Sequence, residues 1–409
     1  VERIRRVQWE KLTGIVEYAF NHCPYYRDHF SKLGFRGKLG NWQEFCQLPI
    51  LTKQHVREYW EILLSREFQL QELVEAKTGG STGTALTVYA DKKCREQRNA
   101  AAMRSDRWAG WDIGMQVAAV WGNPPIADTL KKQLRNLLLE RTFYLDTMNI
   151  NEDSIRHVID EWRCKKPNIL YGHAHSIYIL GTYLARMGVT DLRPQGIVTT
   201  SMMLLDPERH LIENVFGCRV TNRYGCEEVS LIACECERHE GLHLNVDHVM
   251  VEFLKDDGTE ATLGEEANIV VTELINHAMP LIRYQIGDKG IPSGRICSCG
   301  RGLPLMERVI GRQADFLKRP DGSLVAGVSL VERTLTAIPG IEQMQLIQNE
   351  LYRVCVKVVK DNVFDNISQN RLRSELQSVF GDQITVDLEY VQALDQTSSG
   401  KYRFSICNV

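Results

Sequence analysis

Apolar residues recur along this chain with the two periods that separate helix from strand. Ile155, Val158, Ile159 and Trp162 fall on one helical face, with Asn151 or Asp153 placed to cap its start and Pro167 just beyond its end. Ile169, Leu170 and Tyr171 then read as a short buried strand. Ile177, Leu180 and Leu184 mark another helix, stopped near Gly188, and Ile197 with Val198 the next strand. This rhythm predicts a parallel sheet covered by helices in the first two thirds of the chain.

The pattern changes after Gly311. A turn at Pro320, Asp321 and Gly322 leads into a helical run from Leu330 to Leu335 and a strand near Gln343 to Ile347. Tyr352, Val354, Val356 and Val358 alternate as a strand. Leu372, Leu376 and Val379 follow as an amphipathic helix, and Ile384, Val386 and Leu388 as a last strand. A small α+β domain of normal size is expected, with the boundary between Gly311 and Asp315, giving domains 1–311 and 312–409.

Composition narrows the class. With 409 residues the chain is long for one core, so two or three domains are expected. Its 49 basic and 52 acidic residues nearly cancel, so no overall field invites nucleic acid or an anionic membrane. No run of about 18 apolar residues suits a membrane span, and none follows the basic start Arg3, Arg5, Arg6 as in a signal peptide. A soluble, cytoplasmic protein is expected. Twelve cysteines in a chain of this size read as reduced thiols rather than as a disulfide framework.

Candidate chemistry begins with Thr78, Gly79, Gly80, Ser81, Thr82, Gly83 and Thr84. Three glycines let backbone N–H groups turn toward one point, and four hydroxyls donate there too, which suits a polyphosphate. The loop is not a Walker A sequence, because Gly83 is followed by Thr84 and Ala85 rather than by Lys and Ser/Thr. Nor is it a dinucleotide fingerprint, and alone it is equally a surface turn.

Four further segments follow in order: Tyr224-Gly225-Cys226-Glu227-Glu228, Tyr284-Gln285-Ile286-Gly287-Asp288, Gly311-Arg312-Gln313-Ala314-Asp315 and Thr397-Ser398-Ser399-Gly400-Lys401. Together with the glycine loop, this set resembles the signature motifs of the adenylate-forming superfamily of acyl- and aryl-CoA synthetases, and most closely its phenylacetate-CoA ligase-like branch. The resemblance spans residues 78 to 403. It implies a large α/β N-terminal adenylate-forming domain with mixed and parallel sheets covered by helices, plus a small mobile α+β C-terminal domain.

The resemblance also implies roles. Tyr224 with Gly225 would stack on adenine, with Thr200 and Ser201 covering the other face. Glu228 would hold Mg²⁺ through a hard carboxylate oxygen. Asp288 would grip the ribose hydroxyls as a bidentate acceptor, and Arg312 would reach the ribose or phosphate. Thr78, Gly80, Ser81, Thr82 and Gly83 would hold the departing phosphates of ATP. Lys401 would be the catalytic lysine, a cation between the attacking carboxylate and the α-phosphate. The bland alternatives are a packed core tyrosine at Tyr224, a turn former at Asp288 and a solvated tail at Lys401.

The implied reaction is ATP-dependent activation of a carboxylic acid to an acyl-adenylate, followed by transfer to coenzyme A and release of AMP. Ala314 stands where the family's hinge aspartate falls, which weakens the expectation of domain rotation and hence of the thioester step. Two alternatives therefore stay open: transfer to an amine or carrier protein, and a non-enzymatic nucleotide-binding protein. The segment from Tyr171 to His175 and the residues Ser201 to Met203 correspond to the acid pocket, and permit an aromatic or moderately polar acid. For His173 and His175 a buried, bonded histidine is the leading alternative to contact with the substrate. The sequence leaves the oligomeric state open, a homodimer included.

Cys234, Cys236, His239 and His243 lie in one stretch, and Cys297 with Cys299 in another about sixty residues on. Such a set can supply four ligands to tetrahedral zinc. Some phenylacetate-ligase-like proteins carry a similar arrangement before a Gly-Leu-His run and within a Cys-x-Cys-Gly-Arg run. The favoured set is Cys236, His243, Cys297 and Cys299, with Cys234 and His239 as substitutes, in a structural Zn²⁺ site.

Overall fold

The structure is a computed structural model that describes residues 2–78, 86–121, 129–147, 150–310, 316–394 and 403–409. The chain divides into two units. The first comprises Val1–Lys77, Leu86–Trp108 and Arg223–Gly311; the second comprises Thr78–Ala85, Ala109–Asn222 and Arg312–Val409.

The first unit is an antiparallel sheet with helices from the N-terminal part of the chain. Its strands run in the order Val249–Leu254, Ala267–Glu273, Tyr284–Ser293, Leu305–Ile310, Leu242–Leu244, Ser230–Glu235 and Val220–Cys226. Every neighbouring pair in that order is antiparallel. Helix Glu2–His22 buries Leu12, Ile15, Val16 and Ala19, the i, i+3, i+4, i+7 stripe of an amphipathic helix. These side chains join one apolar core with Leu244, Ile269, Val271 and Met306 of the sheet. The buried hydroxyl of Tyr26 donates to Pro280 O at 2.7 Å and accepts from the N–H of Ile282 at 3.1 Å, pinning helix Pro24–Lys32 to the loop before Tyr284.

The second unit holds the parallel sheet. Its order is Thr142–Asp146, Val117–Trp121, Ile169–His173 and Gly196–Thr200, and the first residues of Val220–Cys226 pair beside Gly196–Thr200. Helices Glu152–Lys165, Ala174–Arg186 and Asp206–Phe216 form its crossovers. Asn151 caps the first of these, accepting from Ser154 N, while Ile155, Val158, Ile159 and Trp162 are buried as their spacing predicts. Leu170, Ile197 and Phe216 complete this core.

The C-terminal segment of the second unit is α+β. A four-stranded sheet runs Thr385–Tyr390, Arg353–Lys360, Ile341–Glu350 and Ser405–Cys407, with helices Gly327–Ala337 and Asn366–Phe380. Val354, Val356 and Val358 pack on Leu372 and Leu376, as their periods of two and 3.6 require. The alternating pattern thus locates the parallel sheet within 117–222. The strands of 223–310 pair instead as an antiparallel sheet, with no helix in any connection between them and with Leu305–Ile310 pairing back beside Leu242–Leu244.

Candidate active site

In the first unit the strand Val220–Cys226 turns at Glu227–Val229 into the strand Ser230–Glu235. Tyr224 pairs with Ala233 and Gly225 with Leu231, so Ile232 is the extra residue of a bulge. Gly225 sits where backbone crowds it: a Cβ there would lie 2.4 Å from Ser230 O and 2.9 Å from the Cα of Leu231. The bulge and the bare glycine together set the direction of the turn that carries Glu228.

Glu228 is buried, 3% exposed. Its Oε1 accepts from the Tyr284 hydroxyl at 2.9 Å and lies 3.6 Å from Lys53 Nζ. Its backbone carbonyl accepts from Arg98 Nη2 at 2.6 Å. Arg98 in turn makes two 2.7 Å bonds to the carboxylate of Glu273, a buried fork-to-fork pair. The turn is therefore held by a buried ion pair at its backbone and by a lysine and a tyrosine at its carboxylate. Burial and then the charge of Glu228 push the Tyr284 hydroxyl well above its ordinary pKa, so it remains a donor at neutral pH. Burial, then the Glu228 charge, also raises Glu227 above the usual carboxylate range.

Tyr224 and Asp288 meet in the same unit. The Tyr224 hydroxyl donates to Asp288 Oδ2 at 3.1 Å, and Gly287 beside it takes a φ of +88°. Burial, followed by the Asp288 charge, keeps that phenol protonated. Tyr224 is thus both a packed tyrosine with a bonded hydroxyl and an orienting donor to Asp288.

Thr200 and Ser201 lie in the second unit, at the carboxyl end of the strand Gly196–Thr200. Ser201 is exposed and takes a φ of +65°, a left-handed conformation costly for a residue with a Cβ. The N–H of Met202 closes back on Thr200 O at 2.8 Å. Ligands of open α/β sheets bind outside this end of the strands. Beside Thr200 in register stands His173, whose ring lies 4.2 Å from that of Trp121; Trp121 also stacks on Tyr171 at 5.7 Å.

The two histidines of this segment differ. His175 Nδ1 pairs with the buried Glu208, and its ring packs on Tyr178 and Phe316, so it ties helix Ala174–Arg186 to helix Asp206–Phe216. His173 is buried with no partner at Nδ1, and burial pushes its pKa down to about 4. Met202, expected in the acid pocket, packs against the apolar core of the C-terminal segment.

Thr78 ends the strand Val74–Thr78, and Leu86–Ala90 pairs with that strand, so the glycine loop joins two paired strands. Gly80, Ser81, Thr82, Gly83, Arg312, Ala314 and Lys401 lie outside the described residues. Lys53, Arg98 and the role of Tyr284 escaped the sequence reading. Lys53 opens a helix behind the N-cap Thr52, a position that signals a helix start and nothing of a partner some 175 residues away.

A second cluster in the first unit gathers Cys236, His243, Cys297 and Cys299, whose ligand atoms all lie within 4.8 Å of one another. Cys236 Sγ is 3.6 Å from Cys297 Sγ and 3.3 Å from His243 Nε2, and Cys299 Sγ is 3.5 Å from the same nitrogen. Ligands at zinc distances in a tetrahedron stand roughly 3.6–3.8 Å apart, so three thiols and one imidazole nitrogen fit that ion. Cys234 and His239 stand outside the cluster: Cys234 Sγ meets Glu235 O, and His239 Nδ1 lies 3.4 Å from Glu235 Oε2. Around the cluster Glu240 accepts from both the N–H and hydroxyl of Ser298, fixing the turn between Cys297 and Cys299. Arg301 lies over Trp108, which meets His243 edge-on. Burial raises the Cys236 thiol and carries Cys297 to about 12. At Cys299 burial is outweighed by hydrogen bonds from the backbone and side chain of Arg301, and the thiol falls below its ordinary value.

The CapK C-terminal domain family matches residues 317–408. Protein CapK of Staphylococcus aureus is 24% identical, covering 98% of this chain and 89% of its own length. Phenylacetate-coenzyme A ligase of Thermus thermophilus is 25% identical over 83% of this chain and 77% of its own. These likenesses support the adenylate-forming superfamily, in its phenylacetate-CoA ligase-like branch, for this chain. The fold is shared with 2-hydroxyisobutyryl-CoA ligase, solved with 2-HIB-AMP and CoA, which superposes with a TM-score of 0.65 at 17% identity. That likeness covers 100% of this chain and 90% of the ligase.

Proposed function

We propose that this protein is an AMP-forming acid–CoA ligase. A carboxylate oxygen attacks the α-phosphorus of ATP, the bond to the β-phosphate oxygen breaks, and pyrophosphate leaves. The sulfur of coenzyme A then attacks the acyl carbon of the adenylate, and AMP leaves with the bonding electrons. Catalysis in the first step is positioning plus electrostatics.

The observation that carries the reading is the arrangement of three motif residues in the first unit: Tyr224 donating to Asp288, and Glu228 held as a buried carboxylate by Tyr284 and Lys53. Aimed at a nucleotide, this set offers an aromatic face, an oriented acceptor for ribose hydroxyls and a carboxylate oxygen of the kind Mg²⁺ takes. When bound, Mg²⁺ would spread the charge of the departing pyrophosphate. The roles of Thr78, Gly80, Ser81, Thr82, Gly83, Thr200, Ser201, Gly225, Arg312 and Lys401 belong to the same proposal and rest on the sequence resemblance. So does the division into an acid- and nucleotide-binding part, 1–311, and a lid, 312–409; the match of the CapK C-terminal family to 317–408 supports it.

We assign the acid to the aromatic class, supported by Trp121, Tyr171 and His173 at the carboxyl ends of the parallel strands. We also assign Cys236, His243, Cys297 and Cys299 to structural Zn²⁺, a reading supported by three thiols and one imidazole nitrogen gathered within 4.8 Å, the four protein ligands that a closed zinc site takes. The deciding experiment is ATP–pyrophosphate exchange over a panel of aryl, fatty and amino acids, followed by addition of coenzyme A. Exchange with an aryl acid, then thioester and AMP on adding CoA, is expected. Exchange that is indifferent to CoA would move the second step to an amine or carrier protein, and absence of exchange with every acid would remove the enzyme reading.

A further inference from the structure

The segment Leu130–Glu140 is helical yet buries almost nothing. Leu130, Leu134, Leu137, Leu138 and Leu139 are between 53% and 78% exposed, and among residues 129–141 only Asn136 is less than exposed. Leu130 and Leu134 stand one turn apart on the α-helix Leu130–Arg135, and Leu137, Leu138 and Leu139 lie in the π-helical turn Asn136–Glu140 that continues it. In a core helix such an apolar stripe would face the sheet. Here the anchors are polar: Asn136 exchanges two hydrogen bonds with Thr142 at the edge strand Thr142–Asp146, and the Leu139 carbonyl accepts from Gly114 N at 3.2 Å. The apolar stripe is left to solvent, beside Ile113, itself 52% exposed.

The charges around it are predominantly basic, although Glu140 pairs with Arg135 at 2.7 Å and Asp112 adjoins Ile113. Residues 130–141 carry Lys131, Lys132, Arg135 and Arg141 against Glu140 alone, a local net charge of +3 in a chain whose total is −3. An exposed leucine stripe flanked by lysines and arginines is the composition of a segment that lies in the interface of an anionic bilayer, leucines among the acyl chains and basic groups at the headgroups. A second copy of the chain fits less well, since a twofold contact through this face would oppose two like-charged patches. We infer that Leu130–Glu140 is a peripheral docking surface for anionic lipid, holding the protein weakly and reversibly at a membrane surface. The near-neutral overall charge conceals this patch, because its basic residues are averaged with acidic ones elsewhere.

The test is co-sedimentation of the full chain with vesicles of phosphatidylcholine alone or with about one third phosphatidylglycerol. Expected is binding to the anionic vesicles only, weakened by salt. Leu134→Asp with Leu137→Asp should lower it by at least about tenfold, and Lys131→Glu with Lys132→Glu comparably, with melting temperature and pyrophosphate exchange unchanged. No binding to anionic vesicles, or binding undiminished in both variants, overturns the proposal. So does a concentration-dependent dimer that Leu137→Asp dissociates, which would give the face to a second copy.

Discussion

Tyr284 sets its phenolic hydroxyl 2.9 Å from Oε1 of Glu228, the oxygen that Lys53 approaches to 3.6 Å. Two separable functions meet at that atom, holding the turn and presenting a carboxylate. Tyr284→Phe removes one donor from a buried charged acceptor and should cost about 1–3 kcal/mol of stability, read by urea denaturation, with modest loss of exchange. Glu228→Gln keeps the shape and removes the charge. It should lower acid-dependent pyrophosphate exchange about a hundredfold or more while circular dichroism stays native. Equal exchange rates for Glu228→Gln and wild type would show that the carboxylate serves only the fold.

Gly225 makes a steric prediction. A methyl group there meets Ser230 O at 2.4 Å and the Leu231 backbone at 2.9 Å, so the bulged pair of strands must separate. Gly225→Ala should destabilise the protein by about 1–3 kcal/mol. Because Tyr224 precedes it and Glu228 follows within one turn, exchange should fall as well, with the Michaelis constant for ATP rising. A variant with wild-type stability and kinetics would mean that the strands give way without moving either side chain.

The sequence disclosed what repeats and left obscure what converges. Asn151 and the Ile155–Trp162 stripe are local signals, and helix Glu152–Lys165 lies where they point. Val354, Val356 and Val358 are equally local. The antiparallel sheet after Tyr224 was harder to see, because bulges at Ile232 and near Asn268 interrupt the alternation of its strands. Arg98 carried no warning: it lies on a helix with little apolar stripe, and its partner Glu273 is far along the chain. Lys53 was hidden in the same way. Cys236, His243, Cys297 and Cys299 could be paired in advance because thiols and imidazoles at short spacing have few other reasons to cluster. Geometry was still needed to separate Cys236 from Cys234: residues two apart would share one face of a strand, but the strand Ser230–Glu235 ends before Cys236, which turns to the cluster while Cys234 Sγ meets Glu235 O.

That separation gives a metal prediction. Purified protein should contain about one zinc per chain. Cys236→Ser and Cys297→Ser should each lose the metal and lower the melting temperature, since binding free energy at a closed site is also folding free energy. Cys234→Ser, whose sulfur meets a backbone carbonyl instead, should retain it. Zinc lost on Cys234→Ser and kept on Cys236→Ser would reverse the ligand assignment.

His173 supplies a dependence on pH whose sign follows from its burial. With its pKa pushed down to about 4 in the folded chain, the ring stays neutral there while the unfolded ring, with an ordinary value near 6.5, takes up a proton. The unfolded state binds more protons between those two values, so stability falls as pH drops from about 6.5 toward 4, and is level above and below that window. The contribution at pH 5 is about 2 kcal/mol relative to pH 7.5. His173→Asn cannot titrate, so it should lose about that much less stability over the same interval in urea denaturation. Parallel losses in the two proteins would mean that His173 does not stay neutral in the fold. The ring would then have to find a partner for its charge beside Trp121, where Nδ1 has none.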